Sequence, residues 1–412
     1  VLTFTAAPNA FGVANVTVTL SDNGGTANGG SDTSGQQTFV ITVTGVNDVP
    51  SFTSGGDVTV LEDSAAYSSA WASGMNAGAN ETQTLTFNVS NNNNALFSVQ
   101  PAISASGLLT FTLAPDANGT ATVSVTISDN GGTANGGVDT SSIQTFAINA
   151  TAVNDAPSFA KGADVTVLED SAAFTQGGWA TSLSKGPADE SGQTLSFNVS
   201  NDNPALFSVA PAVNAAGQLT FTVAPNAFGT ATVTLSIADN GGTANGGADT
   251  SATQTFVINV TGVNDMPSFT SGGNLTVLED SAAYNAAWAG SLDAGPGESG
   301  QTLSFNVTNN NNAMFSVQPA IDASGVLTFT LAPDAIGVAT VSVTISDNGG
   351  TANGGVNTSG AQNFSISVTA VNDAPSFTKG TDVTVLEDSG AFTQGGWASG
   401  LSKGPADEGT QT

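Results

Sequence analysis

Between residues 50 and 156, apolar and polar side chains alternate one for one in short runs. Val58 and Val60 flank Thr59, and Leu85, Phe87 and Val89 are separated by Thr86 and Asn88. Leu109, Phe111 and Leu113 alternate with Thr110 and Thr112. Ala121, Val123, Val125 and Ile127 alternate with Thr122, Ser124 and Thr126, and Phe146, Ile148 and Ala150 with Ala147 and Asn149. A period of two puts every second side chain on one face of an extended chain. Each run therefore predicts an antiparallel strand with a buried face and a Thr-rich outer face. No stretch carries apolar residues at helical spacing over three turns. Turn-forming clusters separate the runs: Asn91 to Asn94, Ser106-Gly107, Pro115 to Gly119 and Asn130-Gly131-Gly132. Six or seven strands in about 108 residues predict a two-sheet β-sandwich, and the chain reads as all-β.

The pattern recurs. The segment VNDVPSF begins at Val46, VNDAPSF at Val153, VNDMPSF at Val263 and VNDAPSF again at Val371, spacings of 107, 110 and 108 residues. A Leu-Glu-Asp follows each time, at Leu61, Leu168, Leu278 and Leu386, and DNGGTANGG begins at Asp22, Asp129, Asp239 and Asp347. Self-similarity at a fixed period marks a tandem array. It divides the chain into a partial repeat at 1–49, complete repeats at 50–156, 157–266 and 267–374, and a second partial repeat at 375–412. Repeats also alternate. Two carry SGG followed by a Tyr and AW (Tyr67 and Trp71, Tyr284 and Trp288); the others carry KG, FTQGGW and LSKGPADE. The repeating unit is thus a pair of about 218 residues, expected to be a piece of a longer array. One Trp per repeat (Trp71, Trp179, Trp288, Trp397) is expected to anchor packing rather than a ligand.

Composition narrows the chemistry. The chain has no Cys, His or Arg, which removes disulfides, Cys- and His-ligated metal, Ser-His-Asp catalysis and bidentate Arg clamps. Four Lys face 33 acidic residues, for a net charge of −29. Such a chain repels nucleic acid and anionic membranes, and no apolar run is long enough to insert into a bilayer. A screening cation is the natural partner, although acidity also simply maintains solubility.

The acidic residues recur at fixed places. One element lies between repeats: Asn47-Asp48, Asn154-Asp155, Asn264-Asp265 and Asn372-Asp373. One ends the first strand: Glu62-Asp63, Glu169-Asp170, Glu279-Asp280 and Glu387-Asp388. One ends a late strand: Asp22, Asp129, Asp239 and Asp347. Strand ends and linkers gather at the poles of a sandwich, so neighbouring repeats would bring these carboxylates together, where they repel. Ca²⁺ takes six to eight oxygen ligands from carboxylates, Asn side chains, carbonyls and water, and fits such a set. The alternative is metal-free: Asn-Asp before Pro forms turns, and Asp at a strand end caps backbone N–H groups.

These residues resemble a known family. VNDAPSF is similar to the linker motif of cadherin repeats, and ISDNGGT, Ile127 to Thr133, resembles their late strand end. Leu-Glu-Asp-Ser lies where cadherins carry Pro-Glu-Asn, and DESGQTLSFNVS, Asp189 to Ser200, resembles their Asp-x-Asp region. The whole chain looks like the cadherin-like, immunoglobulin-like repeats of giant bacterial surface proteins and adhesins. The resemblance implies Ca²⁺ at each junction. Asn154-Asp155 would draw on Glu62, on Asp189 or Glu190, and on Asp239. Asn264-Asp265 would use Glu169, Glu298 and Asp347; Asn47-Asp48 would use Glu81 and Asp129; Asn372-Asp373 would use Glu279 with Asp407 or Glu408. The family's Asp-Arg-Glu motif is missing. Pro-Asp-Ala or Pro-Asn-Ala stands near its place, at Asp116, Asp334, Asn9 and Asn226, so one or two ions per junction are expected rather than three. Asp139 and its counterparts become Asn357 in one repeat and rank as turn residues.

A non-enzymatic, extracellular structural or adhesive element follows as the expected function: a rod, stalk or filament stiffened by Ca²⁺, with neighbouring repeats of the same chain as partners and lateral self-association into a filament as a further expectation. Near-identical repeats suit a spacer. A surface that binds carbohydrate or ice through Thr rows is the alternative, although no aromatic cluster suits sugar stacking. Paired carboxylates such as Asp189-Glu190 could do acid–base work, but an active site copied at every junction is an unsuited design.

Overall fold

The protein is described here by a computed structural model covering residues 1–412, in which every regular element is a β-strand or a short 3-10 turn. The chain divides into two compact units. One comprises Val1–Ser158, Leu183–Ser196 and Ile237–Ser251; the other comprises Phe159–Ser182, Phe197–Ser236 and Ala252–Thr412.

In the first unit, β1 (Gly12–Val18) and β2 (Gln37–Val43) of the leading partial repeat pair antiparallel. The next repeat supplies β3 (Ser51–Thr53), β4 (Val58–Leu61), β5 (Tyr67–Ala70), β6 (Ser73–Asn76), β7 (Thr86–Asn91), β8 (Phe97–Ile103), β9 (Leu108–Leu113), β10 (Gly119–Ser128) and β11 (Gln144–Thr151). One sheet runs β4-β11-β10-β7 and the other β5-β9-β8, with β3 paired to β6. Counting β3/β4 and β5/β6 as interrupted single strands gives seven strand paths, as the alternation predicted. The inner row of β10, Ala121, Val123, Val125 and Ile127, is 0% exposed, while Thr122 and its neighbours face out. The all-β tandem architecture expected from sequence is present.

Two features differ from the alternation. Strand β8 carries no clean pattern because Pro101 interrupts it, and its pairing with β9 shifts register twice. Strand β4 is parallel to β11, not antiparallel, with Val58 opposite Ile148 and Leu61 opposite Thr151. The chain enters the sandwich at one pole and leaves at the other, so its first and last strands run the same way. In the second unit, Val165–Leu168 pairs in parallel with Gln254–Thr261, and Leu275–Leu278 with Gln362–Thr369.

The Trp residues of the complete repeats are core residues. Trp71 packs on Phe146 with ring centroids 4.3 Å apart, and its indole N–H donates to the Gly56 carbonyl at 3.0 Å. Trp179 and Trp288 repeat this against Phe256 and Phe364. The recurring glycine upstream has a steric cause: a Cβ on Gly55 would stand 2.5 Å from Trp71 Cδ1. Full burial of such a ring contributes on the order of 3 kcal/mol or more per sandwich.

Candidate metal-binding junctions

The parallel β4–β11 pair and its two counterparts build half of the junctions at Asn154, Asn264 and Asn372. Glu62 follows β4 and continues the ladder, its N–H donating to the Thr151 carbonyl at 3.0 Å. Its carboxylate, only 3% exposed, accepts the N–H of Val153 in the linker that leaves β11. Glu169 accepts from Val263 and Glu279 from Val371 in the same way. After Glu62 the chain turns through Asp63, at φ 55°, whose Oδ1 accepts the N–H of Asp116 at 3.0 Å. Asp116 is left-handed too, at φ 53°. Asp and Asn tolerate this conformation better than other side chains.

The following repeat builds the other half, through the DNGGTANGG loop. Asn154 donates its amide to Asp239 Oδ1 at 3.0 Å and to the Ala248 carbonyl at 2.7 Å, and accepts from Gln193 at 2.6 Å. Asn47 and Asn264 are gripped alike, by Asp129 and Asp347. The linker lies so close that a Cβ on Gly241 would stand 1.6 Å from Asn154 Oδ1, and one on Gly131 1.8 Å from Asn47 Oδ1. The Asp of each linker donates its N–H to a Glu of the following repeat: Asp48 to Glu81, Asp155 to Glu190, Asp265 to Glu298 and Asp373 to Glu408.

These contacts converge carboxylates. Oxygens of Asp63, Asp116 and Asp155 lie within 4.8 Å of one another, and so do those of Asp280, Asp334 and Asp373. Several further oxygens are buried without any hydrogen-bond partner, among them Oε2 of Glu169, Glu190, Glu279 and Glu408, and Oδ2 of Asp239, Asp265 and Asp373. An unpaired buried carboxylate oxygen is costly, and the ion pair the chain forms, Lys379 with Asp382, lies outside the junctions. Burial raises the Asp155 carboxyl above the ordinary carboxylate range, and Asp63, Asp116, Glu62 and Asp189 push it further. Burial also raises Glu190, Asp265, Glu169 and Glu298, the last three of which sit at one junction. Asp373 is raised by burial, then by Asp280, Glu408, Asp334 and Asp407. A donor set made only of hard oxygens, several of them orphaned, fits a hard divalent cation.

The residues selected from sequence fall at the junctions assigned to them. Between Asp189 and Glu190, it is Glu190 that holds the linker N–H, and Asp189 instead accepts from Asn118 at 2.7 Å. Asp139 makes a local bond from Thr140 alone among side chains, in keeping with a turn role. Sequence reasoning passed over Asp63, Asp116, Asp280 and Asp334 as ligands, and Gln83, Gln193 and Gln301 as linker clamps. The signal for the first four was available: an Asp next to the recurring Glu, and an Asp where a bare left-handed turn accepts Asn, as Asn226 does at φ 53°.

No protein-family model matches this sequence, and no curated protein is similar to it. Solved structures are similar in fold. The human desmocollin-1 ectodomain matches 88% of this chain and 69% of its own, at 16% identity and a TM-score of 0.34. Drosophila N-cadherin EC1-4 matches 89% and 85%, at 16% identity and a TM-score of 0.32. A protocadherin gammaB7 EC3-6 cis-dimer structure matches 82% and 77%, at 16% identity and a TM-score of 0.44. The chain is thus similar to cadherin ectodomain repeats. No helix in it is long and apolar enough to cross a membrane.

Proposed function

We propose that this chain is a segment of an extracellular structural or adhesive protein whose repeats are held end to end by Ca²⁺. The observation that carries the proposal is the convergence of three Asp carboxylates within 4.8 Å beside buried, unpartnered Glu oxygens. At the Asn154-Asp155 junction, Glu62, Asp63, Asp116, Asp155, Asp189 and Glu190 would hold the ion. Glu169, Asp265, Glu298 and Asp347 are the set at Asn264-Asp265. The ion supplies positive charge and fixes oxygen positions there. The chain's own residues clasp the linker through Asn154 and Gln193, and set the Glu carboxylates on the linker N–H groups.

With the cation bound, carboxylates of both neighbouring repeats and of the linker share one ligand, so the joint stiffens. Without it they repel and the joint loosens. The function is mechanical, with no catalytic group. Lateral association of arrays is part of the same reading, in line with the cis-dimer named for the protocadherin neighbour.

Small-angle scattering and calorimetry on the metal-stripped chain, with and without added Ca²⁺, test this. A larger maximum dimension and a higher melting temperature with Ca²⁺ are expected. An unchanged dimension and melting temperature would sink the proposal.

A further inference from the structure

The junctions are not equivalent, and four positions change together between them. At Asn154-Asp155 these are Asp116, Asn118, Ala152 and Asp189, and at Asn372-Asp373 they are Asp334, Ile336, Ala370 and Asp407. At Asn264-Asp265 the same positions are Asn226, Phe228, Gly262 and Gly297, and at Asn47-Asp48 they are Asn9, Phe11, Gly45 and Asn80.

The structure shows why they change as a set. A Cβ on Gly262 would be 3.5 Å from Phe228 Cγ, and one on Gly297 3.0 Å from Phe228 Cε1. Gly45 lies against Phe11 in the same manner, at 3.4 Å. The ring thus occupies the space next to the linker that Asp189 or Asp407 takes at the other junctions. Gly297 at φ 75° and Asn80 at φ 62° are left-handed there, whereas Asp189 and Asp407 sit in 3-10 turns, Ala188–Gly192 and Ala406–Glu408. A phenyl ring and an extra carboxylate are alternative fillings of one place.

At Asn154-Asp155 the carboxylate is partnered by Asn118, but at Asn372-Asp373 it has no partner. With Ile336 in place of Asn118, both oxygens of Asp407 are buried and unpaired. So are the Oε2 atoms of Glu279 and Glu408, side chains that are 2% and 4% exposed, around the Asp280, Asp334 and Asp373 triad. Glu408 lies beside that triad: its other oxygen accepts the Asp373 N–H, and its charge helps to raise the Asp373 carboxyl. Acidity there is therefore not a by-product of turn formation, for which Asn226 suffices.

We propose that the array alternates two kinds of joint: a cation-rich joint with an additional divalent-cation site on Asp63, Asp116 and Asp155 (Asp280, Asp334 and Asp373 in its copy), and a cation-poor joint in which Asn226 and the Phe228 ring replace that site. The pair of repeats is then the mechanical unit. Every second joint responds to the cation at a second, separate site, and at the joints between an aromatic ring stands in that place, leaving them the shared site alone. This rests on the reading that the junctions bind a divalent cation, and the test separates the two.

The test is calorimetric titration of the metal-stripped full chain with Ca²⁺. The variants are Asp116→Asn with Asp334→Asn, and separately Asn226→Asp. Each places a residue that the chain already uses in the same left-handed turn, so folding is retained, and circular dichroism checks it. Two classes of site are expected in the parent chain. The double variant should lose two equivalents of one class and leave the other unchanged, and Asn226→Asp should gain up to one equivalent. Binding that both variants leave unaltered overturns the alternation while leaving the junction reading intact. An absence of Ca²⁺ binding in the parent chain overturns both.

Discussion

The junctions at Asp155 and Asp265 share one scaffold and differ in what fills it. In both, a buried Glu after the first strand holds the linker backbone, an Asn of the linker is clasped by the DNGGTANGG loop, and a second Glu receives the linker Asp N–H. Around Asp155 the scaffold gathers Asp63, Asp116, Glu62 and Asp189; around Asp265 it gathers Asp170, Glu169 and Glu298, with Asn226 in place of the second turn Asp and Phe228 where a further carboxylate would be. Geometry and charge are separable in these junctions. The clasp needs only hydrogen bonds and glycine, and the junctions at Asn47, Asn154 and Asn264 all have it. The extra carboxylates add nothing to the clasp and raise its electrostatic cost, so they call for a ligand.

The largest effect that distinguishes the two is cation removal. At free Ca²⁺ 100-fold above its dissociation constant, each site stabilises the bound state by about 2.7 kcal/mol. Chelation should therefore lower hydrogen-exchange protection more in residues 153–156 than in residues 263–266. Equal loss at the two linkers would break the distinction.

Next in size is the clasp, which should not distinguish them. A Cβ on Gly241 or on Gly349 would lie 1.6 Å from the linker Asn Oδ1 in either junction. Gly241→Ala and Gly349→Ala should each cost roughly 1–3 kcal/mol by overpacking, alike in chelator and in Ca²⁺. Thermal melts of the two variants measure this, and a marked difference between them would show that the clasp is not common property.

The sandwiches were legible in the sequence because a period of two survives wherever one sheet face is buried. Leu109, Phe111 and Leu113 announce β9 directly, while β8 is hidden by Pro101 and its bulges. The grouping of acidic residues at the linkers was legible from recurrence alone. What a linear reading could not supply was distance. Asp63 and Asp116 are 53 positions apart and meet only because two left-handed turns face each other across one pole. The glycines of the DNGGTANGG loop read as turn formers. Gly131 and Gly241 are also there because the linker Asn passes over them.

A smaller effect concerns the side chains that fill the differing place. Phe228 is 48% exposed, so Phe228→Ala should cost only about 1 kcal/mol, equally with and without Ca²⁺. Asn118 donates to Glu62 Oε2 at 3.0 Å and to Asp189 Oδ2 at 2.7 Å. Asn118→Ile, the residue of the copy at Ile336, leaves both oxygens unpaired. It should cost about 1–3 kcal/mol in the metal-stripped chain and much less in Ca²⁺, where the ion takes over the amide's role. Melting temperatures of both variants in both conditions separate an apolar plug from a carboxylate partner. A cation-dependent Phe228→Ala would merge the two kinds of joint.

The smallest effect is the pH dependence of the stripped chain. The carboxyls of Asp155, Glu190, Asp265 and Glu298 are raised in the folded chain above their ordinary values of 3.8 for Asp and 4.5 for Glu, burial being the first cause in each. A raised acid holds its proton in the folded state after the unfolded chain has released it. The folded state then binds more protons than the unfolded one, and stability falls as pH rises through that window. Below the ordinary values the penalty is absent; above the raised values it is complete. Metal-stripped protein should therefore melt at a lower temperature at pH 7 than near pH 4.5, and Asp116→Asn should flatten the part of that slope due to Asp155, since Asp116 is one of the charges that raise it. Saturating Ca²⁺ should reverse the slope, because the ion competes with protons for the same oxygens and wins as pH rises. A stripped chain whose melting temperature climbs steadily from pH 4.5 to 7 would mean that the junction carboxylates are stabilised without a cation, and the contrast between the two joints would then be one of packing alone.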